Sequence, residues 1–366
     1  MRTASHALVI LTALLLCAGT LLLTLFPAAR YSPTENRLLA AAPTLSAKDL
    51  KSGAYTAAWD SFATERFPAR GTMRKGRSLL TLALGECEVH GVILCRDGSL
   101  SRRIAVEKRI YSQNLAALQR LKLRFAEASL PCTVAIAPRR LEARAEVLPA
   151  LYDTASEQDI WQALAAQHPD ALALTDCTDD AFWYRTDHHW TTHGAYFAYC
   201  RIAAALGITP LTDFTQQVVS TDFYGTSDAA AGIPFIAPDS IVLYRFEGDE
   251  AYRVTRDGEP TDFTGLYDSQ KLHTRDQYAT FLGGNCGTLT VDLGDADLRP
   301  LLFLIRDSFA DSVIPFLARH FRIVALDPRY AKTGALELAS AADRVLVLCG
   351  MQSICNTVFF SPLLRA

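Results

Sequence analysis

An α/β fold with a mainly parallel sheet, layered between helices as α/β/α, follows from three observations in the sequence. CTVAIAP from Cys132 and the later runs LLFLI, RIVAL and RVLVL are short, apolar and rich in branched residues. Helix-like stretches separate these runs. Each run is apolar nearly throughout rather than at alternate positions, which marks a strand buried on both faces.

Taken in order, the chain begins with an apolar segment. Ala7 to Ala29 carries no charge and is flanked by Arg2 and Arg30. About 20 apolar residues match the hydrocarbon thickness of a bilayer, so residues 1–30 read as an N-terminal transmembrane helix and membrane anchor. A cleaved signal peptide is the alternative, since Pro27-Ala28-Ala29 has the composition of a cleavage site. Residues 31–100 form a linker and N-terminal extension. Tyr31 to Pro43 is the linker, and residues 55 to 85 are helical in pattern except at Pro68. GVILCRDGSL from Gly91 predicts a hairpin turning at Asp97-Gly98.

Residues 101–366 are expected to form the main domain. NLAALQRLKLRFAEAS predicts a helix leading into the Cys132 strand. SEQDIWQALAAQH predicts a second helix capped by Ser156, with ALALT as a following strand. TTHGAYFAYCRIAAALG predicts a third helix ending at Gly207, despite Gly194 near its start. From about 240 to 279 turn and β signals dominate, and this stretch reads as an insertion.

The composition limits the function. The net charge of −3 supplies no field for nucleic acid, so none is expected as a partner. No GxxxxGK[ST] or GxGxxG stretch opens a helix after a strand, and no cofactor is expected. Nine cysteines form no CxxC pair and no zinc-ligand pattern with histidine.

The residues suited to chemistry concentrate in three places. In YRTDHHWTTHG, residues 184–194, an extended backbone would point Asp187 and His189 to one side and His188 to the other. A carboxylate beside an imidazole sets its tautomer and stabilises the imidazolium formed in acyl transfer. The alternative is a metal site through His189 and His193, four apart, although the HExxH glutamate is missing and no metal is expected. In LLFLIRDSFADSVIPFL, Ser308 follows the strand where parallel sheets place their sites, at a helix start suited to an oxyanion. Its plain alternative is a helix cap, and Ser312 is a competing hydroxyl. In FLGGNCG, Asn285 has an amide able to donate to an oxyanion, or the stretch is only a turn.

These segments together resemble the DHHW protein family, named for Asp187-His188-His189-Trp190. ENR at 35–37, ERFPAR at 65–70, FLGGN at 281–285, RDSFADSVIPFL at 306–317 and LDPRY at 326–330 carry the likeness. The family is similar to SGNH-hydrolase-like proteins of exopolysaccharide O-acetylation. That resemblance implies an SGNH-like domain with Ser308, His189 and Asp187 as the triad. Ser308 N–H and Asn285 are the implied oxyanion donors. Arg306 stands where ordinary SGNH enzymes have glycine. Trp190, Tyr184 and Arg306 are the candidate substrate contacts.

The resulting expectation is a membrane-anchored, extracytoplasmic O-acyltransferase acting on a glycan. A membrane-embedded acyltransferase partner would supply the acyl group. An esterase with the same triad and a non-catalytic glycan-binding or assembly protein are the alternatives.

Overall fold

The computed structural model describes every residue except 1, 26–29, 33–34, 36, 68, 104, 151, 153–154, 332–334 and 365–366. The chain divides into two compact units. One comprises residues 1–86 and 229–235, and the other residues 87–228 and 236–366.

In the smaller unit, a helix spans Arg2–Leu25 and leaves Val9, Ile10, Leu14 and Leu15 exposed. Among the described residues no helix is long and apolar enough to cross a membrane. The expected span runs on to Ala29, and residues 26–29 lie outside the described residues, as do several side chains of this helix. Two further helices, Ala54–Arg66 and Arg70–Ala83, flank the predicted break, while Pro68 itself is not described. Glu35 of the ENR motif accepts from Arg70 Nε at 2.9 Å and pairs with Arg74 at 3.3 Å. Two stretches thirty-five residues apart are thereby tied by charge-assisted bonds.

The larger unit is built on a mixed sheet of eight strands. In chain order they are β1 (Cys132–Ala137), β2 (Leu172–Ala173), β3 (Arg253–Arg256), β4 (Glu259–Pro260), β5 (Thr288–Asp292), β6 (Leu301–Arg306), β7 (Arg322–Leu326) and β8 (Arg344–Gly350). Across the sheet the order is β4-β3-β5-β7-β6-β8-β1-β2. The pairs from β7 through β2 are parallel, and those from β4 to β7 are antiparallel.

The parallel part is covered on both faces because its strands are apolar throughout. On one face Leu302, Leu304, Leu346 and Leu348 pack with Ala195, Ala198 and Ile202 of helix α3 (Thr192–Leu206). On the other, Phe303, Ile305, Val345 and Val347 pack with Leu115, Leu118 and Leu121 of helix α1 (Lys108–Glu127) and with Ile160 and Leu164 of helix α2 (Ala155–Gln167). Each fully buried Leu, Ile, Val or Phe side chain among these contributes about 1.5–3 kcal/mol. The result is the three-layer arrangement expected from the sequence. Helix α4 (Met351–Asn356) follows β8 directly.

Some local expectations change. Ser156 is the second residue of α2 rather than its cap, and the residue before the helix is not described. The stretch 240–279 contributes to the core of the larger unit. Its β3 and β4 extend the central sheet, and Tyr244, Tyr252, Val254 and Leu266 enter the main apolar cluster. Gly194 stands in the first turn of α3 because a Cβ there would lie 2.4 Å from the Phe182 carbonyl oxygen.

Candidate active site

Ser308 lies just beyond the carboxyl end of β6, where a parallel sheet opens a crevice. No long helix follows it. Ser308–Ala310 is a single 3₁₀ turn, and a short helix comes only at Ile314–Leu317. Asp307 caps that turn, accepting from Phe309 N at 3.0 Å, so the serine hydroxyl is not spent as a cap. The second Asp307 oxygen accepts from Gly350 N at 2.8 Å and Ser353 Oγ at 2.6 Å. These bonds lock the turn to the end of β8. Ser308 N–H takes no partner among the described residues.

The partner segment reaches Ser308 from 119 residues earlier. Residues 185–189 are a run of bends rather than a strand. Asp239 holds the run in place, accepting from Arg185 N and Thr186 N, both at 2.8 Å. Within it Asp187 Oδ1 accepts from His189 N at 2.9 Å and lies 2.6 Å from His189 Nδ1. An Asx-type turn therefore pairs the carboxylate and imidazole, where strand alternation was expected to do so. One consequence is that His188 is not turned away. Its ring lies against that of His189, with centroids 3.8 Å apart and planes tilted by 40°.

His189 Nε2 stands 2.9 Å from Ser308 Oγ. Serine, histidine and aspartate thus form one hydrogen-bonded chain. Asp187 is buried, which by itself would raise its pKa. The charges of His188 and His189, together with bonds from His189 and Thr226 N, hold it well below the usual carboxylate range. Thr226 supplies two of those bonds to Asp187 Oδ2, from N at 2.6 Å and Oγ1 at 2.9 Å. Gly225 permits this approach, since a Cβ there would fall 2.3 Å from Asp187 Cβ. Neither residue is marked by any local pattern in the sequence.

Other expected site residues fall elsewhere. Trp190, Tyr184 and Arg306 are buried and have no surface to offer a substrate. Trp190 Nε1 donates to Phe309 O and Ser312 Oγ. Arg306 forms an interior ion pair with Asp311 and lies 3.2 Å from Cys286 Sγ. Ser312, the competing hydroxyl, is enclosed between Trp190 Nε1 at 3.0 Å and Tyr278 OH at 3.1 Å. Asn285 is exposed; its Oδ1 faces Arg329 Nη2 at 3.4 Å, and it is not among the residues lining the cleft at Ser308.

That cleft is walled by His188, Phe309, Arg329, Gln352 and Asn356. Arg329 is held by a bidentate pair with Asp327. The Gln352 side chain has no hydrogen bond among the described residues. A signal for Gln352 was present in the sequence: it follows β8, the neighbour of β6, so it belongs to the same sheet edge.

The metal alternative meets a competing set of bonds. Asp187, His188 and His189 bring their ligand atoms within 4.8 Å of one another. Both Asp187 oxygens are already engaged by His189 and Thr226, and His188 Nδ1 by Thr226 Oγ1 at 2.7 Å. A cation would have to displace these bonds. His193 lies in the first turn of α3 and bonds Tyr244 OH at 2.9 Å, away from a shared helical face with His189.

With this geometry in hand, residues 173–326 match the DHHW protein family, and residues 98–233 match the SGNH hydrolase-like domain of the acetyltransferase AlgX. The chain is thus similar to the family its motifs suggested. A DHHW family protein from Eubacterium siraeum has the same fold with 21% identity and a TM-score of 0.60, over 74% of this chain and 93% of that one. Bacillus cereus PatB1 does so with 16% identity and a TM-score of 0.62, over 74% of this chain and 99% of that one. PatB1 is also known with a sulfonyl adduct, at a TM-score of 0.60, 16% identity and the same coverage. No curated protein matches the chain.

Proposed function

We propose that this protein is an SGNH-like O-acyltransferase that moves an acetyl group onto a polysaccharide outside the cytoplasm. The observation that carries the reading is the hydrogen-bonded chain from Ser308 through His189 to Asp187 at the sheet's carboxyl edge. The likeness to an acetyltransferase domain supports the same class.

In the first half-reaction Ser308 Oγ attacks the acyl carbonyl while its proton passes to His189 Nε2. Asp187 remains ionised and stabilises the imidazolium. Ser308 N–H, free of a protein partner, faces the developing oxyanion, and the amide of Gln352 in the cleft wall is the second donor. The proton then leaves on the departing oxygen. In the second half-reaction a sugar hydroxyl gives its proton to His189 and takes the acyl group. The uncharged run from Ala7 to Ala29 supports a membrane tether or export signal. A membrane-embedded acyltransferase would deliver the acyl group.

The test is incubation of the full chain with a nitrophenyl acetate reporter, with and without oligosaccharide acceptors. The expected result is a burst of nitrophenol, acetyl on Ser308 and acetylated oligosaccharide. No burst and no labelled serine would sink both enzyme readings. A burst followed only by hydrolysis, across all acceptors, would favour the esterase.

A further inference from the structure

A second histidine sits between the members of the catalytic pair, and the mechanism above leaves it unused. Hydrogen-bond logic fixes where its proton lies. An ionised Asp187 donates nothing, so the Thr226 hydroxyl, 2.9 Å from Oδ2, must direct its hydrogen there. What Thr226 Oγ1 turns toward His188 Nδ1, at 2.7 Å, is then a lone pair. His188 therefore carries its hydrogen on Nδ1 and a lone pair on Nε2.

That Nε2 has no partner among the described residues. The side chain is 22% exposed and forms part of the cleft wall that includes Ser308. Burial first, and the neighbouring His189 next, push its pKa from 6.5 down to about 3. The ring stays neutral near pH 7, and the lone pair persists.

We infer that His188 selects the acceptor: its Nε2 takes a hydrogen bond from a hydroxyl adjacent to the one being acylated, so the site favours vicinal diols over isolated alcohols. The inference rests on the acyl-enzyme reading above. During transfer the attacking hydroxyl oxygen bonds the acyl carbon and its proton passes to His189 Nε2. The carbon–Oγ bond then breaks, and His189 returns the proton to Ser308. His188 neither gains nor loses a proton; it orients the diol through the second hydroxyl.

The experiment is a competition between cis-1,2-cyclohexanediol and cyclohexanol for the acyl group of the full-length enzyme, read as the ratio of acylated products. Both products arise from one acyl-enzyme, so the ratio is independent of how fast that intermediate forms. Wild type is expected to favour the diol. In His188→Leu the preference should fall about fivefold to tenfold, the weight of one hydrogen bond. His188→Gln, whose amide oxygen also accepts, should keep part of it. If His188→Leu does not fold, His188→Phe serves, since it keeps an aromatic ring without the accepting nitrogen; the ratio should again fall. An unchanged ratio in the folded variant, or no diol preference in wild type, overturns the inference while leaving the acyl-enzyme intact. Absence of any acyl-enzyme in wild type overturns the underlying reading instead.

Discussion

The ring of Tyr278 lies flat on the imidazole of His189, with centroids 4.0 Å apart and planes 4° from parallel. Its hydroxyl donates to Ser308 O at 3.2 Å and lies 3.1 Å from Ser312 Oγ. One side chain thus fixes the plane of the His189 imidazole and the backbone of Ser308. Tyr278→Phe, which keeps the ring, should lower kcat about threefold to tenfold, the weight of one hydrogen bond. Tyr278→Leu should lower it further with KM little changed. Steady-state kinetics on nitrophenyl acetate would show this; equal kcat in all three proteins would remove the positioning role.

Ser308→Ala should reduce ester turnover on the order of 10⁴-fold, as loss of a nucleophile does in triad enzymes. Ser308 is only half-buried, so its truncation should change stability by less than about 0.5 kcal/mol. Mass spectrometry for the acyl-enzyme and a thermal melt report the two effects separately. Turnover that survives the substitution would place the nucleophile elsewhere.

Gly225→Ala should act on the site through Asp187 without replacing Ser308, His189 or Asp187 themselves. The new Cβ would meet Asp187 Cβ and Oδ2 at 2.3 and 2.4 Å, so the carboxylate or its loop must move. The expected cost is about 1–3 kcal/mol in stability from overpacking. A fall in kcat of at least about tenfold is expected, because small misplacements at a triad are costly. Urea denaturation and kinetics on the same preparation check both; a variant with wild-type kinetics would show that Asp187 tolerates displacement.

The Arg306–Asp311 pair is interior, and the charge of Asp311 holds the Arg306 guanidinium protonated against the effect of burial. Burial raises the Asp311 carboxyl to about 7 even beside Arg306. Arg306→Met alone should therefore destabilise by about 3–5 kcal/mol, the cost of a buried carboxyl that must stay ionised without its partner or take up a proton. Adding Asp311→Leu should restore most of that loss. Denaturation midpoints of the single and double variants decide it. If the single variant instead weakens only substrate binding, Arg306 belongs to the cleft after all.

His188 also predicts a pH dependence of stability. Its folded pKa of about 3 lies below the ordinary 6.5, so between these values the unfolded chain binds a proton that the folded chain does not. Its contribution is complete above pH 6.5 and is lost as pH falls toward 3, with a slope of about 1.4 kcal/mol per pH unit. Asp187 acts lower: its depressed pKa keeps its contribution above the unfolded carboxylate value and loses it only in stronger acid. Urea titrations at pH 4.5 to 7.5 should give a shallower slope for His188→Gln than for wild type. Parallel slopes would mean that His188 is protonated in the fold.

Much of this architecture was legible before any coordinates. LLFLI, RIVAL and RVLVL are β6, β7 and β8, because strands buried on both faces must be apolar throughout, and that pattern is local. Gly207 ends α3 in the left-handed conformation that its place after the last apolar turn implies. The edge strand β4 and its neighbour β3 are not legible as sheet members, since short strands with polar residues look like loop sequence.

The site divides along the same line. The sequence by itself determined which side chains were available for chemistry: an aspartate two residues before a histidine, and a serine at the end of a buried strand. It also determined that the serine stands at the carboxyl end of a buried strand, where parallel sheets open their sites; the strand order came only with the fold. Only the tertiary structure decided how those groups meet. The bend at 185–189 is held by Asp239, Asp187 is gripped by Thr226, and Tyr278 lies over His189; each partner is 30 or more residues away in the chain. Tertiary packing also withdrew Trp190, Tyr184 and Arg306 into the core and turned His188 toward the cleft. The physical reason is range: periodicity and turn chemistry are set by neighbours in sequence, whereas burial and hydrogen-bond partnership are set by whatever the closed fold brings alongside.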